Sequence, residues 1–156
     1  MKTCFFIGHR DAPENAYEHL LATVEQHIVE YGMTDFVIGR YGSFDRLATR
    51  TLIQAKQLHP EIRMTLLLAY YDPFKPFVLP QGFDDSLYPV GMEHVPRRAA
   101  IIRANQYMIW HSDYLIAYDT GKIGNTRRLV DYARRRRKKG LIRVENLYDQ
   151  TLGFIR

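Results

Sequence analysis

A single cysteine, Cys4, occurs among the 156 residues, so the chain cannot form an internal disulfide or a cysteine-rich metal site. No apolar run approaches the roughly 18 residues of a membrane-spanning helix, and no membrane partner is expected. The apolar segment 1–7 is interrupted by His9 and Arg10, too early for a secretion signal. We therefore expect a cytoplasmic protein that has no metal site and no obligatory cofactor.

Positive charge is not spread evenly, although the net charge is +5. Much of the excess lies in the six consecutive cations of segment 134–139, and the rest of the chain is near neutral. Such a cluster could bind nucleic-acid phosphates, but cations are also favoured by the dipole at the C-terminal end of a helix. The hydrophobic share of 46% and the charged share of 25% are typical of a globular protein. We expect residues 1–156 to form one domain.

Short apolar runs alternate with amphipathic helical patterns along most of the chain. Strands are predicted at 3–7, 35–38, 62–69, 113–118 and 141–144, and helices at 14–31, 44–58, 97–111 and from 125 or 126 to 139. This order predicts an α/β, Rossmann-like, doubly wound parallel sheet of about five strands with helices on both faces. Cys4 should pack in the first strand as a small apolar residue.

Segment 70–96 interrupts this rhythm. It holds five of the seven prolines, and six aromatic residues lie among them. Long loops in compact domains are commonly lids or binding segments. The alternative is an aromatic-rich flap that covers the edge of the sheet.

Three glycine-bearing turns follow the first, second and fourth predicted strands. A strand order of 3-2-1-4-5 would make these strands neighbours, so the turns would line one crevice at the carboxyl ends of the strands, where such sheets bind ligands. In the first turn, Gly8 would let backbone approach a ligand and Arg10 could bind a phosphate or carboxylate. His9 could donate a hydrogen bond or transfer a proton, or could be structural. The dinucleotide fingerprint G-x-G-x-x-G is absent.

The second turn contains Gly39 and Gly42, which permit the bend, and Ser43, a candidate helix N-cap. Asp45 would lie in the first helical turn. Its carboxylate could hold a pair of ribose hydroxyls, or it could simply complement the helix dipole.

The third turn brings Lys122, Arg127 and Arg128 to the positive end of a helix dipole, with Asn125 or Thr126 as the N-cap. A bound phosphate would account for these cations, because it accepts both the free N–H groups and the side-chain charges. An ordinary turn with solvated arginines is the alternative. On composition alone, Arg103 and Asn105 of the third helix belong to a solvated face.

Several segments together resemble the SLOG superfamily, which joins the DprA/Smf DNA-processing proteins to the LOG (Lonely guy) nucleotide hydrolases, with the YpsA-like branch most similar. The segments are FIGHR at 6–10, GRYGSFDRLA at 39–48, RANQYM at 103–108 followed by Ser112-Asp113, and GKIGNT at 121–126 with Tyr132-Ala133. The similarity covers about residues 3–145, and it implies a Rossmann-like domain that binds a nucleotide.

The resemblance implies a nucleotide-binding site formed by Gly8, His9, Arg10, Gly39, Gly42, Ser43, Asp45, Arg103, Asn105, Gly121, Lys122, Gly124, Asn125 and Thr126. LOG enzymes carry Pro-Gly-Gly-x-Gly-Thr-x-x-Glu, whose glutamate takes part in hydrolysis, whereas this chain has Arg127 or Arg128 at that place. We therefore expect a module that senses a nucleotide or an ADP-ribose-like molecule. The alternatives are an N-glycosidic hydrolase that uses His9 or Asp45, and a DprA-like binder of single-stranded nucleic acid that uses segment 134–139. Members of the SLOG superfamily often pair, so the resemblance also implies a homo-oligomer as a partner state.

Overall fold

A computed structural model describes residues 2–148. In this part of the chain, the helices and strands are β1 (Thr3–Gly8), α1 (Tyr17–Val29), β2 (Asp35–Ile38), α2 (Ser43–Leu58), β3 (Arg63–Leu67), β4 (Asp85–Leu87), α3 (Arg97–Trp110), β5 (Tyr114–Tyr118), α4 (Asn125–Lys138) and β6 (Arg143–Asn146). None of these helices has the length and hydropathy needed to cross a bilayer.

The strands form one sheet in the order β4-β3-β2-β1-β5-β6, and every neighbouring pair is parallel. Helices cover both faces. The Rossmann-like, doubly wound fold predicted from the sequence is confirmed, as is the adjacency of β3, β2, β1 and β5. Because β1 lies between β2 and β5 and all three strands are parallel, the turns that follow them emerge side by side at the carboxyl ends of the strands.

Successive side chains of β1 point to opposite faces of the sheet, and the core forms one layer on each face. Cys4 and Phe6 face α1 and α2, whereas Phe5 and Ile7 face α3 and α4. Side chains on both faces are almost fully buried, which explains why parallel strands of this kind are continuously apolar in sequence. Cys4 is buried as predicted, and its burial raises the pKa of the thiol well above the ordinary value.

The sheet has six strands rather than the predicted five. The additional strand, β4, lies inside segment 70–96 and pairs with β3 at the edge of the sheet. The Asp84 carboxylate fixes its register, because it accepts a hydrogen bond from the Met64 N–H at 2.8 Å and pairs with Lys56. A strand of three residues, two of them polar, has too little apolar periodicity to be predicted from sequence.

Several predicted boundaries were also wrong. Segment 14–16 forms a 3-10 turn instead of the first turn of α1, and α1 ends at Val29 instead of residue 31. The N-caps of α2 and α4 are Gly42 and Gly124, so Ser43 and Asn125 are the first helical residues, and neither Thr126 nor Asn125 caps α4. Both glycines have φ near +150°, a conformation that a side chain rarely adopts.

Candidate functional site

A small cavity of about 70 Å³ lies where the turns after β1 and β2 meet α3 and the start of α4. We call this cavity the crevice. Its lining residues are Phe6, Ile7, Gly8, Arg10, Tyr41, Asp45, Ile101, Ile102, Asn105, Asn125, Thr126 and Leu129. Six of them belong to the predicted site: Gly8, Arg10, Asp45, Asn105, Asn125 and Thr126. The polar groups therefore converge from four separate segments of the chain against an apolar wall.

The turn after β1 is held by its neighbours rather than left free. A Cβ at Gly8 would lie 2.2 Å from Cγ of Phe44, the buried aromatic residue of the first turn of α2. The Arg10 carbonyl accepts a hydrogen bond from the Ser43 N–H at 2.8 Å, and a Cβ at Gly42 would lie 2.7 Å from Cα of Arg10. Both glycines are thus required for close contact between two turns, which leaves the exposed Arg10 side chain at the rim of the crevice.

His9 is buried and connects the first turn to the third. Its Nε2 accepts hydrogen bonds from the Thr120 N–H at 2.9 Å and from the Thr120 hydroxyl at 3.0 Å. An Nε2 that accepts these bonds carries no proton, so the neutral ring is protonated on Nδ1. The Asp119 carboxylate lies 3.7 Å from Nε2 and accepts a bond from the Gly121 N–H at 3.0 Å. This geometry gives His9 a positioning role in the site and does not present it to the crevice.

Asp45 closes the second turn on itself. Its Oδ2 accepts a hydrogen bond from the Tyr41 N–H at 3.0 Å, and a Cβ at Gly39 would lie 2.9 Å from the same oxygen. Burial raises the pKa of the Asp45 carboxyl to about 6, and the Tyr41 hydrogen bond opposes this rise. One carboxylate oxygen is therefore engaged by the protein backbone, and a ribose contact through the other oxygen remains a prediction.

The pKa of Asp45 predicts how stability changes with pH. The folded state binds the proton more tightly than the unfolded chain, so the stabilisation is complete below about pH 3.8 and is lost as the pH rises through 6. Asp45→Asn removes this titration. We expect the stability of Asp45→Asn relative to the wild type to rise by on the order of 2 kcal/mol between pH 4.5 and pH 8, measured by urea unfolding.

Asp84→Asn is the matched control, because the hydrogen bond from Lys56 lowers the pKa of Asp84. Asp84 is mostly ionised in both the folded and the unfolded state throughout the series, so its substitution should cost nearly the same at every pH. Parallel curves for the wild type and Asp45→Asn would contradict the proposed titration.

The two helix starts beside the crevice differ. At α2, the N–H groups of Tyr41 and Ser43 already have acceptors in Asp45 and Arg10. At α4, no side chain caps the helix, its first turn has no acidic residue, and the first intrahelical bond runs from the Arg128 N–H to the Gly124 carbonyl. The N–H groups of residues 125–127 therefore lack an intrahelical acceptor, which makes α4 the better place for an anion.

The remaining residues of the third turn lie outside the crevice. Gly121 has a φ of +85°, so the chain can reverse there after Asp119. Lys122 is exposed and its Nζ lies 3.7 Å from the carboxylate of Asp11, which is also exposed. An exposed pair of this kind contributes little to stability, so Lys122 can turn toward a ligand at small cost.

Helix α3 lies beside the crevice, where Asn105 lines the cavity with Ile101 and Ile102. Asn105 therefore does not lie on the solvated face that composition alone suggests, and its place beside the crevice agrees with the site position that the resemblance implies. Arg103 is exposed and lines a separate groove with Tyr107 and Trp110 on the outer side of α3. The structure thus does not bring Arg103 together with the other predicted site residues.

Tyr41 is a lining residue that sequence reasoning missed. Its ring packs edge-to-face against Tyr70 with centroids 5.9 Å apart, and its hydroxyl accepts a bond from the Ala69 N–H at 3.2 Å. It lies in the segment GRYGS, between the two glycines of the second turn. An aromatic residue between two turn-forming glycines was the available signal.

Carboxylates near the start of α4 are already paired. Asp131, one helical turn along, lies 4.0 Å from Nε of Arg127 and 3.9 Å from Nη1 of Arg134. In residues 2–148, no group of three or more His, Cys, Asp or Glu side chains could hold a metal ion. The crevice therefore combines hydrogen-bond donors and positive charge with one carboxyl group, Asp45, that can exchange a proton near neutral pH.

The basic end of α4 is partly engaged by aromatic rings. The Arg136 guanidinium lies 3.6 Å above the ring of Trp110, and Arg135 lies 5.8 Å from that of Tyr132. Contacts of this kind orient the cations within the molecule.

Comparison of the chain with models of known protein families, and with curated proteins, finds no match.

Proposed function

We propose that this chain binds a nucleotide or a nucleotide-derived, ADP-ribose-like molecule and acts as a sensing or regulatory module of the SLOG type, in its YpsA-like branch. The observation that carries the proposal is the uncapped start of α4 beside Arg10 in the crevice. A phosphate placed there would accept the free N–H groups of the helix and the donors of Asn125 and Thr126.

The chemistry of the crevice supports binding more than bond cleavage. Its cation and amide donors stabilise a negative charge that is already present in the ligand. Where a LOG hydrolase carries its glutamate, this chain has Arg127 or Arg128, and the nearby Asp131 is paired with arginines. Arg10 and the N–H groups at the start of α4 can hold a phosphate without a change in their own protonation.

Asn125→Asp tests the proposal through charge alone. A carboxylate in the first turn of a helix is favourable to the fold because of the dipole, but it repels a phosphate at the same N–H groups. We expect the variant to melt at or above the wild-type temperature. We also expect it to lose most of the stabilisation that nucleotides give the wild type, with an affinity lower by about tenfold or more.

The measurement is the melting temperature in the presence of millimolar nucleotides, nucleoside diphosphate sugars and inorganic phosphate. Arg10→Ala should weaken the same ligands, whereas Arg63→Ala, at the opposite end of the sheet, should not. If none of these compounds shifts the melting temperature of the wild type, the proposal is lost. It is equally lost if Asn125→Asp responds to every ligand as the wild type does.

A second candidate function is hydrolysis of an N-glycosidic bond, and the observation in its favour is the carboxyl of Asp45. Burial brings its pKa to about 6, within the range that suits general acid or base catalysis near neutral pH. Release of free base from a nucleotide, abolished in Asp45→Asn, would establish this activity. Release that persists in Asp45→Asn would exclude Asp45 as the group responsible.

A further inference from the structure

A second cavity, of about 380 Å³, is lined by the first part of segment 70–96 and lies, like the crevice, beyond the carboxyl ends of the strands. We call it the aromatic–cationic pocket. Its walls include the rings of Tyr70, Tyr71 and Phe77 and the cationic groups of Arg40, Lys75 and Arg97. Its volume falls in the range of cavities that hold small organic ligands, about 300–1,000 Å³. The crevice, at about 70 Å³, can take only a small group such as a phosphate.

Within the part of the chain that the structure describes, the positive charges of this pocket are only partly compensated. In residues 2–148, Arg40, Lys75 and Arg97 each lack a carboxylate oxygen within 4.0 Å. Asp72 is the acidic residue of the pocket, and its Oδ1 accepts a hydrogen bond from the Phe74 N–H at 2.9 Å. Three cations against one carboxylate make the pocket positive.

Aromatic rings hold two of these cations in place. The guanidinium of Arg97 lies 4.2 Å from the centre of the Tyr70 ring, and that of Arg40 lies 5.9 Å from the centre of the Phe77 ring. Planar guanidinium groups and aromatic side chains are the surfaces on which nucleobases stack. Phe77 is 38% exposed, so its ring is open to a ligand.

Tyr41 connects this pocket to the crevice. Tyr41 lines the crevice, Tyr70 lines the aromatic–cationic pocket, and their rings are in edge-to-face contact. The linings of the two cavities are therefore in contact through this pair of aromatic side chains. A ligand that passes over this pair would reach both.

We infer that the aromatic–cationic pocket is the base-binding half of the ligand site, in which a purine or pyrimidine ring stacks against Phe77 and the guanidinium of Arg97. This inference rests on the proposed function, because it assigns the phosphate of the same ligand to the start of α4. The inference adds that recognition of the ligand depends on its base and that segment 70–96 supplies part of the base-binding pocket. The ligand is then a nucleotide and not a sugar phosphate.

The test compares nucleoside 5′-diphosphates with ribose 5-phosphate by titration calorimetry on Phe77→Ala and Arg97→Ala. Each side chain has a matched control. Phe74, in the same segment, is 93% exposed and does not line the pocket, and Arg98 is the exposed neighbour of Arg97. We expect Phe77→Ala and Arg97→Ala to weaken the tightest diphosphate about five- to tenfold, with ribose 5-phosphate unchanged. Phe74→Ala and Arg98→Ala should bind as the wild type does.

The outcomes separate this inference from the proposed function. If diphosphates bind the wild type but are unaffected by Phe77→Ala and Arg97→Ala, the pocket is not the base site, and the phosphate site at α4 stands. If ribose 5-phosphate binds the wild type as tightly as the diphosphates, base recognition is refuted in the same way. If the wild type binds neither class, both proposals fall.

Discussion

Gly8→Ala is expected to destabilise the protein by about 3 kcal/mol, because its new methyl group would meet a buried ring that has no room to move. The added Cβ would lie 2.2 Å from Cγ of Phe44, whose side chain is fully buried between α2 and the sheet. Gly8 is not among the glycines with positive φ, so the cost arises from this contact and not from the backbone. Urea unfolding gives the free-energy change directly.

A double-mutant cycle with Phe44→Leu identifies the contact. The smaller side chain should relieve the clash, so the double variant should be more stable than the sum of the two single changes predicts. Gly91→Ala serves as the control, because Gly91 has a φ of +88° and open space around it and should cost only about 1 kcal/mol of backbone strain. A Gly8→Ala variant as stable as the wild type would show that the first turn can move away from α2.

His9→Ala is expected to cost about 3 kcal/mol, since it removes a buried imidazole, which leaves a cavity, and takes away the acceptor of a partly buried backbone N–H. Nε2 of His9 accepts both the N–H and the hydroxyl of Thr120. Its removal should also loosen the third turn. The amide of Thr120 should therefore exchange its hydrogen much faster in the variant, as measured by hydrogen exchange.

His94→Ala is the control for this substitution. His94 is highly exposed and contacts only the adjacent Glu93 in the ion pairs of residues 2–148, so its loss should change stability by no more than about 0.5 kcal/mol. If His9→Ala keeps wild-type stability and a protected Thr120 amide, His9 does not hold the two turns together. Its burial would then need another explanation.

Most of the fold could be predicted from the sequence, because the central strands are continuously apolar and most of the helices have apolar residues at helical spacing. Strands such as β1 and β5 could be recognised from composition and length alone. Strand β4 could not, because it depends on the pairing of Asp84 with Lys56 and Met64, residues that are distant in the chain. The N-caps were misplaced for a related reason: Ser43 and Asn125 are good caps intrinsically, but both cap positions have φ near +150°, which favours glycine, and at Gly42 the close approach of Arg10 also excludes a side chain.

The candidate site could be predicted only in part. The glycine turns and the sheet order place Gly8, Arg10 and Asn125 near one another, which the crevice confirms as a spatial arrangement. The side-chain contacts of His9 and Asp45 could not be foreseen, because each depends on a partner from outside its own strand or on the shape of its own turn. Local sequence indicates which residues reach the crevice, whereas tertiary contacts decide which of them remain free to meet a ligand.

The central position of β1 also determines when the site can exist during folding. The pairing of β1 with β2 joins segments about 30 residues apart, but the contact of His9 with Thr120 spans 111 residues. Closing so long a loop costs entropy before its contacts stabilise the chain, and pairings of this kind slow folding. We therefore expect the two sides of the crevice to meet late in folding. The helices and the paired strands β1, β2 and β3 can form before this contact. A ligand that needs both sides would act mainly on the rate of unfolding and hardly at all on the rate of folding.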